Sequence, residues 1–371
     1  MTTTVAEIIA KMEQIAPQTL AETWDNVGLM VGEIDAPVQK VLLALDLSAA
    51  VVEQACTQHA DLIITHHPVF FKPLQTLAAD TSQKALAYQL IRNNIAVYSA
   101  HTNWDIASGG VNDVLVKLLG LKTAVILQTK KQQQYYKIAT FVPEAETRSV
   151  LAAMTRAGAG NWGGYSECAY QTKGIGQFRP LEGSTPFVGK LNVLEKTVEN
   201  KIEVLVAAEL VEPVIKALVT AHPYEVPAYE IIAIANKMTE QGLGRVGLLA
   251  EATDVLSFAQ YVKRVLAADY VNYADAHKPV AKVAVCGGSG GDLVQAALAA
   301  GADTLVTGDV KYHVAQEAVA LGLNLIDAGH QCTELPAMQA LARKLTAWAQ
   351  TEARTFTVAV ATEPHILQTV S

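Results

Sequence analysis

Three short groups of histidines and acids punctuate the chain, each directly after an apolar, strand-like run. His66-His67 follows Ile63-Ile64-Thr65, His101 with Asp105 follows residues 96–100, and His330 with Glu334 follows residues 323–327. Open α/β sheets collect ligands beyond the carboxyl ends of their strands, so three such loops can converge on one point. Imidazoles mixed with carboxylates suit Zn, Fe, Mn, Co or Ni better than Mg or Ca. The pattern predicts a dinuclear metal site. Adjacent side chains on extended backbone point opposite ways, so His66-His67 is poor for one ion and natural for a pair spanning two. His101 and Asp105, like His330 and Glu334, have the i, i+4 spacing that places two side chains on one helical face. Asp105 is the better ligand of its pair, with His101 as the donor that orients it. His330 and Glu334 are both expected to ligate. Glu334 bridges, because its two oxygens can serve two ions.

The elements that must carry these residues are repeated. The stretch from Lys40-Val41 to Thr65 aligns without gaps on Lys282-Val283 to Thr307, and Ala100-His101 with Asp105 matches Gly329-His330 with Glu334. Two similar halves would face one cavity from opposite sides. Gly308-Asp309 stands where the first half has His66-His67, so Asp309 is expected near the metals. Residues up to about 128 alternate strands and helices: helix over 5–15, strand over 41–46, helix over 49–59 capped by Ser48, and helices over 81–93 and 110–119. That alternation implies a mixed or parallel sheet covered on both faces. The polar run over 128–134 reads as a boundary. Beyond it come a strand over 136–142, helix 144–157, strand 163–171, a Gly/Pro-rich stretch 174–189, strand 202–208, helix 212–221 and strand 228–234. This order is ferredoxin-like. A second linker over 237–244 returns the chain to the α/β pattern. The expected domains are residues 1–130 and 241–371, which form one duplicated α/β domain, and an α+β insert over 131–240.

Other polar groups have simpler readings. Trp24-Asp25-Asn26-Val27-Gly28 reads as a turn that can reach the site mouth. Gly287-Gly288-Ser289-Gly290-Gly291 lies between a strand and a helix, as an anion-binding loop does. It lacks G-x-G-x-x-G and the P-loop lysine, so a tight turn is the preferred reading. His222, His277 and His313 have no partner at ligand spacing.

Length and composition agree with a multidomain globular protein: 371 residues, 51% hydrophobic and 17% charged. A formal net charge of −8 argues against a nucleic-acid-binding surface. A small anion or nucleotide is still compatible, because bound metal reverses the local field. Four dispersed cysteines without C-x-x-C suggest reduced thiols. With no basic-apolar leader and no run approaching a membrane span, the expected location is the cytoplasm and no membrane partner is expected.

Taken together, Trp24-Asp25-Asn26-Val27-Gly28-Leu29, Thr65-His66-His67-Pro68, His101-Thr102-Asn103-Trp104-Asp105, Thr307-Gly308-Asp309 and Gly329-His330-Gln331-Cys332-Thr333-Glu334 resemble the NIF3-like (DUF34) dinuclear-metal proteins, often called GTP cyclohydrolase 1 type 2 homologs. The insert resembles the PII/CutA-like domain of the longer bacterial members, with His222-Pro223-Tyr224-Glu225 as its marker. The resemblance implies His66, His67, Asp105, His330 and Glu334 as ligands of two divalent ions (Zn, Fe or Mn), with Glu334 bridging. It also implies a toroidal homohexamer and hydrolytic opening of the guanine ring of GTP, with His101 or Asp309 moving protons. Gln331 departs from the histidine of many members, which removes no expected ligand. The alternative is a non-catalytic metal-binding or regulatory hexamer whose insert senses a ligand.

Overall fold

The run Lys40–Ala44 is apolar at every position after the lysine and forms a fully sandwiched strand. The computed structural model describes residues 3–72, 74–132, 134–236 and 240–367. Lys40–Ala44 lies parallel to Leu62–Thr65, which lies parallel to Ala96–Ser99, in a register that sets Thr65 beside Ser99. Thr357–Val360 adds a parallel edge strand and Gly28–Val31 an antiparallel one. Alternation along each strand feeds two cores. Val41, Leu43, Leu62 and Ile64 pack with Val5, Ile8, Met12, Leu341 and Leu345. Leu42, Ala44, Ile63 and Val97 pack with Val51, Ala55, Ala87 and Leu90. The helices behind those names are Val5–Ile15, capped by Thr4, then His330–Thr351, Ala49–Thr57, capped by Ser48, and Ser82–Arg92.

A second sheet has the order Asn272–Ala274, Asn324–Asp327, Thr304–Gly308, Val280–Ser289, Glu240–Thr253, Lys122–Gln132. Its parallel centre repeats bonds of the first sheet, the first at aligned positions and the second one residue out of step. Asp61 N donates to Lys40 O as Asp303 N does to Lys282 O, and Ala100 N to Thr65 O as Ala328 N to Thr307 O. The Asp61 carboxylate accepts from Gln39 N and Lys40 N, and that of Asp303 from Ala281 N and Lys282 N.

The sheets also trade elements. Lys122–Gln132 joins the second sheet as an edge strand, whereas the helix His330–Thr351 and strand Thr357–Val360 serve the first core. The polar run expected to be a linker from residue 128 is therefore strand as far as Gln132. An edge position tolerates Gln128 and Lys130.

The chain divides into two compact units, Met1–Lys131 with Gln241–Ser371, and Gln132–Glu240. In the latter, Tyr135–Pro143, Thr147–Arg156, Ala169–Phe178, Glu195–Ala207, Val211–Ala221 and Tyr229–Ala233 follow β-α-β-β-α-β. Its sheet is antiparallel, with the first and third strands central. The second strand was expected over 163–171 but lies at Ala169–Phe178, so part of the supposed Gly-rich loop is strand. Gly174 pairs with Glu199 there. Glycines read as breakers when the pairing that recruits them is invisible. Of the linker expected over 237–244, residues 237–239 lie outside the described residues, and Glu240–Thr253 is strand. Among the described residues, no helix is long and apolar enough to cross a membrane.

Candidate metal centre

Strand ends bring the histidines together. His66 N and His67 N extend the ladder by donating to Ala44 O and Leu45 O. Their rings stay close, with centroids 5.2 Å apart, and both reach one carboxylate. His101 stands at the start of the short helix Thr102–Ile106, which carries Asp105. His330 opens the helix His330–Thr351, with Glu334 one turn on. Gly329 reaches that start with a φ of 82°. Asn112 ties the halves: its Nδ2 donates to Asp105 O at 2.9 Å, and its Oδ1 accepts from Gly287 N at 3.0 Å.

The Glu334 carboxylate, 3% exposed, is the hub. Its Oε1 lies 3.6 Å from His66 Nε2, which lies 3.5 Å from Asp105 Oδ1. Its Oε2 lies 3.1 Å from His67 Nε2 and 3.1 Å from His330 Nε2. Every imidazole is held by its other nitrogen. His66 Nδ1 bonds Ala100 O at 2.8 Å, His67 Nδ1 bonds Asp46 at 2.9 Å, His101 Nδ1 bonds Asp25 at 2.9 Å, and His330 Nδ1 bonds Asp309 at 2.6 Å. A proton kept on Nδ1 leaves the Nε2 lone pair free, which is the tautomer a metal-binding histidine needs.

The inward atoms lack partners of their own. His66 Nε2 and Asp105 Oδ1 are buried without a hydrogen bond, and buried Glu334 Oε2 has imidazole nitrogens for its neighbours, at 3.1 Å. Unsatisfied buried polar atoms are costly, and a cation among them removes the cost. Ligand atoms group as His66–Asp105–Glu334, His67–His330–Glu334 and His66–His67–His101, each within 4.8 Å. The donor set fits divalent transition metals.

Charge follows the same pattern. Burial alone would lower the His67 pKa, but Asp46 and Glu334 hold it up at about 10. For His330 the hydrogen bond to Glu334 leads, giving about 9. Burial works to raise Glu334, yet the histidines around it hold it well below the usual carboxylate range. Burial pushes Asp105 up. Without an ion, protons supply the positive charge that this carboxylate pair demands.

Asp309 has φ 54° and, unlike the other six acids and histidines named for the site, reaches it only through His330 Nδ1. His222 bonds Phe141 O in the inserted unit, and His277 is exposed. The glycine run is no anion loop. Gly287 N, Gly288 N and Gly290 N are spent on Asn112, Thr333 and Thr307, and the run lies mostly within strand Val280–Ser289. It serves proximity instead: a Cβ on Gly288 would collide with Glu334 Oε1. Two carboxylates escaped the sequence reading. Asp46 closes the strand expected over 41–46 and lies two residues past Lys40–Ala44, a placement that could have marked it. Asp25 lay in a noted motif without a role. It accepts from His101 Nδ1, Thr102 N and Thr102 Oγ1. Burial opposes its charge, but those bonds bring its pKa to about 2.

The cluster opens on a cavity of about 780 Å3, lined by His67, His101, Asp105, His330 and Glu334, with Trp24 and Phe71 on its walls. Both rings stand 5.9 Å from the His101 ring, edge-on. A protein called GTP cyclohydrolase 1 type 2 homolog from Halalkalibacterium halodurans is 40% identical over 329 residues, covering 88% of each chain. One of the same name from Bacillus subtilis is 39% identical over 341 residues, covering 92% of this chain and 91% of the relative. The solved structure of a Bacillus cereus protein related to NIF3 superposes with a TM-score of 0.86 at 37% identity, over 100% of both chains. The family model for Duf34/NIF3 (NGG1p interacting factor 3) matches residues 3–364, and the chain belongs to that family.

Proposed function

We propose that the chain holds two divalent transition-metal ions and is a metal-dependent hydrolase acting on a nucleotide or a similar small anion. The observation that carries this reading is the division of Glu334, with Oε1 toward His66, whose Nε2 also faces Asp105, and Oε2 toward His67 and His330. One ion would use His66, Asp105 and Glu334, the other His67, His330 and Glu334. Zn, Fe and Mn all suit these donors. When bound, such ions supply Lewis acidity toward the substrate and toward water.

The chain's own groups do the rest. Asp25 keeps a proton on His101 Nδ1, so His101 Nε2 is the atom that takes or delivers a proton at the cavity. Asp309 acts through His330, by orienting it. Trp24 and Phe71 supply apolar walls that a planar heterocycle can contact. The relatives' name points to GTP as the nucleotide, and the family resemblance implies opening of its guanine ring. A second reading takes His101 as a further ligand beside His66 and His67, since all three offer nitrogens within 4.8 Å.

We further read the matching bonds of the two sheets as the trace of a duplication, the inserted unit as PII/CutA-like, the assembly as a toroidal homohexamer and the location as cytoplasmic. Elemental analysis should find about two ions per chain. Incubation with GTP and other nucleotides after loading with Zn, Mn or Fe(II), followed by mass analysis, should reveal a hydrolysed product. No product under any loading would leave a metal-binding assembly without catalysis.

A further inference from the structure

The inserted unit has a cavity of its own, of about 760 Å3. Alternation along Glu195–Ala207 creates it. Ile202, Val204 and Val206 turn toward the helices and are buried with Val150, Val214 and Leu218. Glu199, Lys201 and Glu203 therefore turn to the other face of the sheet. Glu199 pairs with Gly174, and the next residue on that face of the neighbouring strand is Gly176. Without side chains there, the sheet is hollow beside the carboxylate, and a Cβ on Gly176 would collide with Glu199 Oε2. Phe178 and Phe187 flank the hollow, their ring centroids 5.9 and 6.2 Å from that of Tyr224. Glu225 fastens the cover by accepting from Thr185 N at 3.0 Å and Thr185 Oγ1 at 2.6 Å.

Glu199 is the unmatched charge of this cavity. It is 7% exposed, and Tyr224 Oη donates to its Oε1 at 2.7 Å. The nearby cations are engaged elsewhere. Lys201 and Lys137 reach Glu203 at 3.6 and 3.4 Å, and Lys173 reaches Glu144 at 2.9 Å. Among the described residues no cation pairs with Glu199. A buried carboxylate with a neutral donor and no counter-charge is expensive to keep. A cation would repay that cost, and three aromatic rings beside it add attraction to their faces. An anion would meet the carboxylate, and a neutral ligand would leave it unmatched. We propose that this cavity binds a small organic cation, a guanidinium or quaternary ammonium group on an apolar body, seated on Glu199 among Tyr224, Phe178 and Phe187.

Calorimetric titration of the full-length protein with agmatine and with choline tests the idea, with 3,3-dimethylbutan-1-ol as the uncharged counterpart of choline. At least one cation should bind once per chain, and the alcohol roughly tenfold or more weaker than choline if choline binds. Glu199→Gln keeps an acceptor for Tyr224 and should weaken binding roughly tenfold or more at unchanged Tm. Gly176→Ala should also weaken binding, because its Cβ would strike the Glu199 carboxylate and displace it. The proposal fails if neither cation binds the wild-type chain, if the alcohol matches choline, or if Glu199→Gln binds as before. Failure to bind either cation, together with a changed sedimentation coefficient for Glu199→Gln, would assign the hollow to contact with another copy of the chain.

Discussion

Glu334→Gln separates a shared carboxylate from a ligand of one ion. The carboxylate is 3% exposed and meets both histidine sets, at 3.6 Å on one side and 3.1 Å on the other. The amide is the same size, so packing survives, but one oxygen becomes an NH2 group that cannot ligate and the other loses its charge. Acids that merely orient a ligand, such as Asp46 on His67 or Asp309 on His330, are each worth about 10–100-fold in the affinity of one ion. Direct loss of a charged ligand from both ions should exceed that, at about 100-fold or more for each, or about 3 kcal/mol. The assay is elemental analysis after dialysis against buffered free metal about tenfold above the wild-type dissociation constant, with far-UV circular dichroism to verify folding. Wild-type protein should retain about two ions per chain and the variant well under one. A folded variant with both ions refutes the assignment. A variant that loses just one makes Glu334 a terminal ligand and leaves the second ion to be explained by His101.

Asp105→Asn should lower metal content toward about one ion per chain, because Asp105 faces only the His66 side; equal loss of both ions would contradict the two-group division. His101→Ala should keep the metal and lower turnover by about 10²–10⁴-fold if His101 moves protons, whereas loss of metal would make it a ligand. Metal-free protein should lose stability as pH rises. The folded His67 pKa of about 10 lies above its ordinary 6.5, so its stabilisation is complete below about pH 6.5 and fades toward pH 10; a metal-free Tm that climbs over that range in calorimetry would contradict this. Metal affinity should change the opposite way, since protons leave the cluster as ions enter. Replacing residues 133–236 with a short flexible linker should leave a folded, metal-binding protein, because the flanking unit holds every residue of the cluster; an unfolded, metal-free product at all linker lengths would make the insert integral.

Local chemistry alone singles out His66-His67, His101, Asp105, His330 and Glu334 as candidates, because an imidazole or acid just past an apolar run lies at a strand end whatever sheet the strand joins. Helices such as Val5–Ile15 and Ala49–Thr57 were legible for a similar reason: their caps and apolar spacing are local. Strand membership is decided at a distance. Nothing within residues 122–132 says that they pair in the second sheet, or within residues 169–178 that Gly174 meets Glu199. The sequence determined which atoms could ligate. Only the tertiary structure decided which nitrogen of each ring turns inward, because Asp46, Asp25, Asp309 and the Ala100 carbonyl claim the other one from elements far apart along the chain.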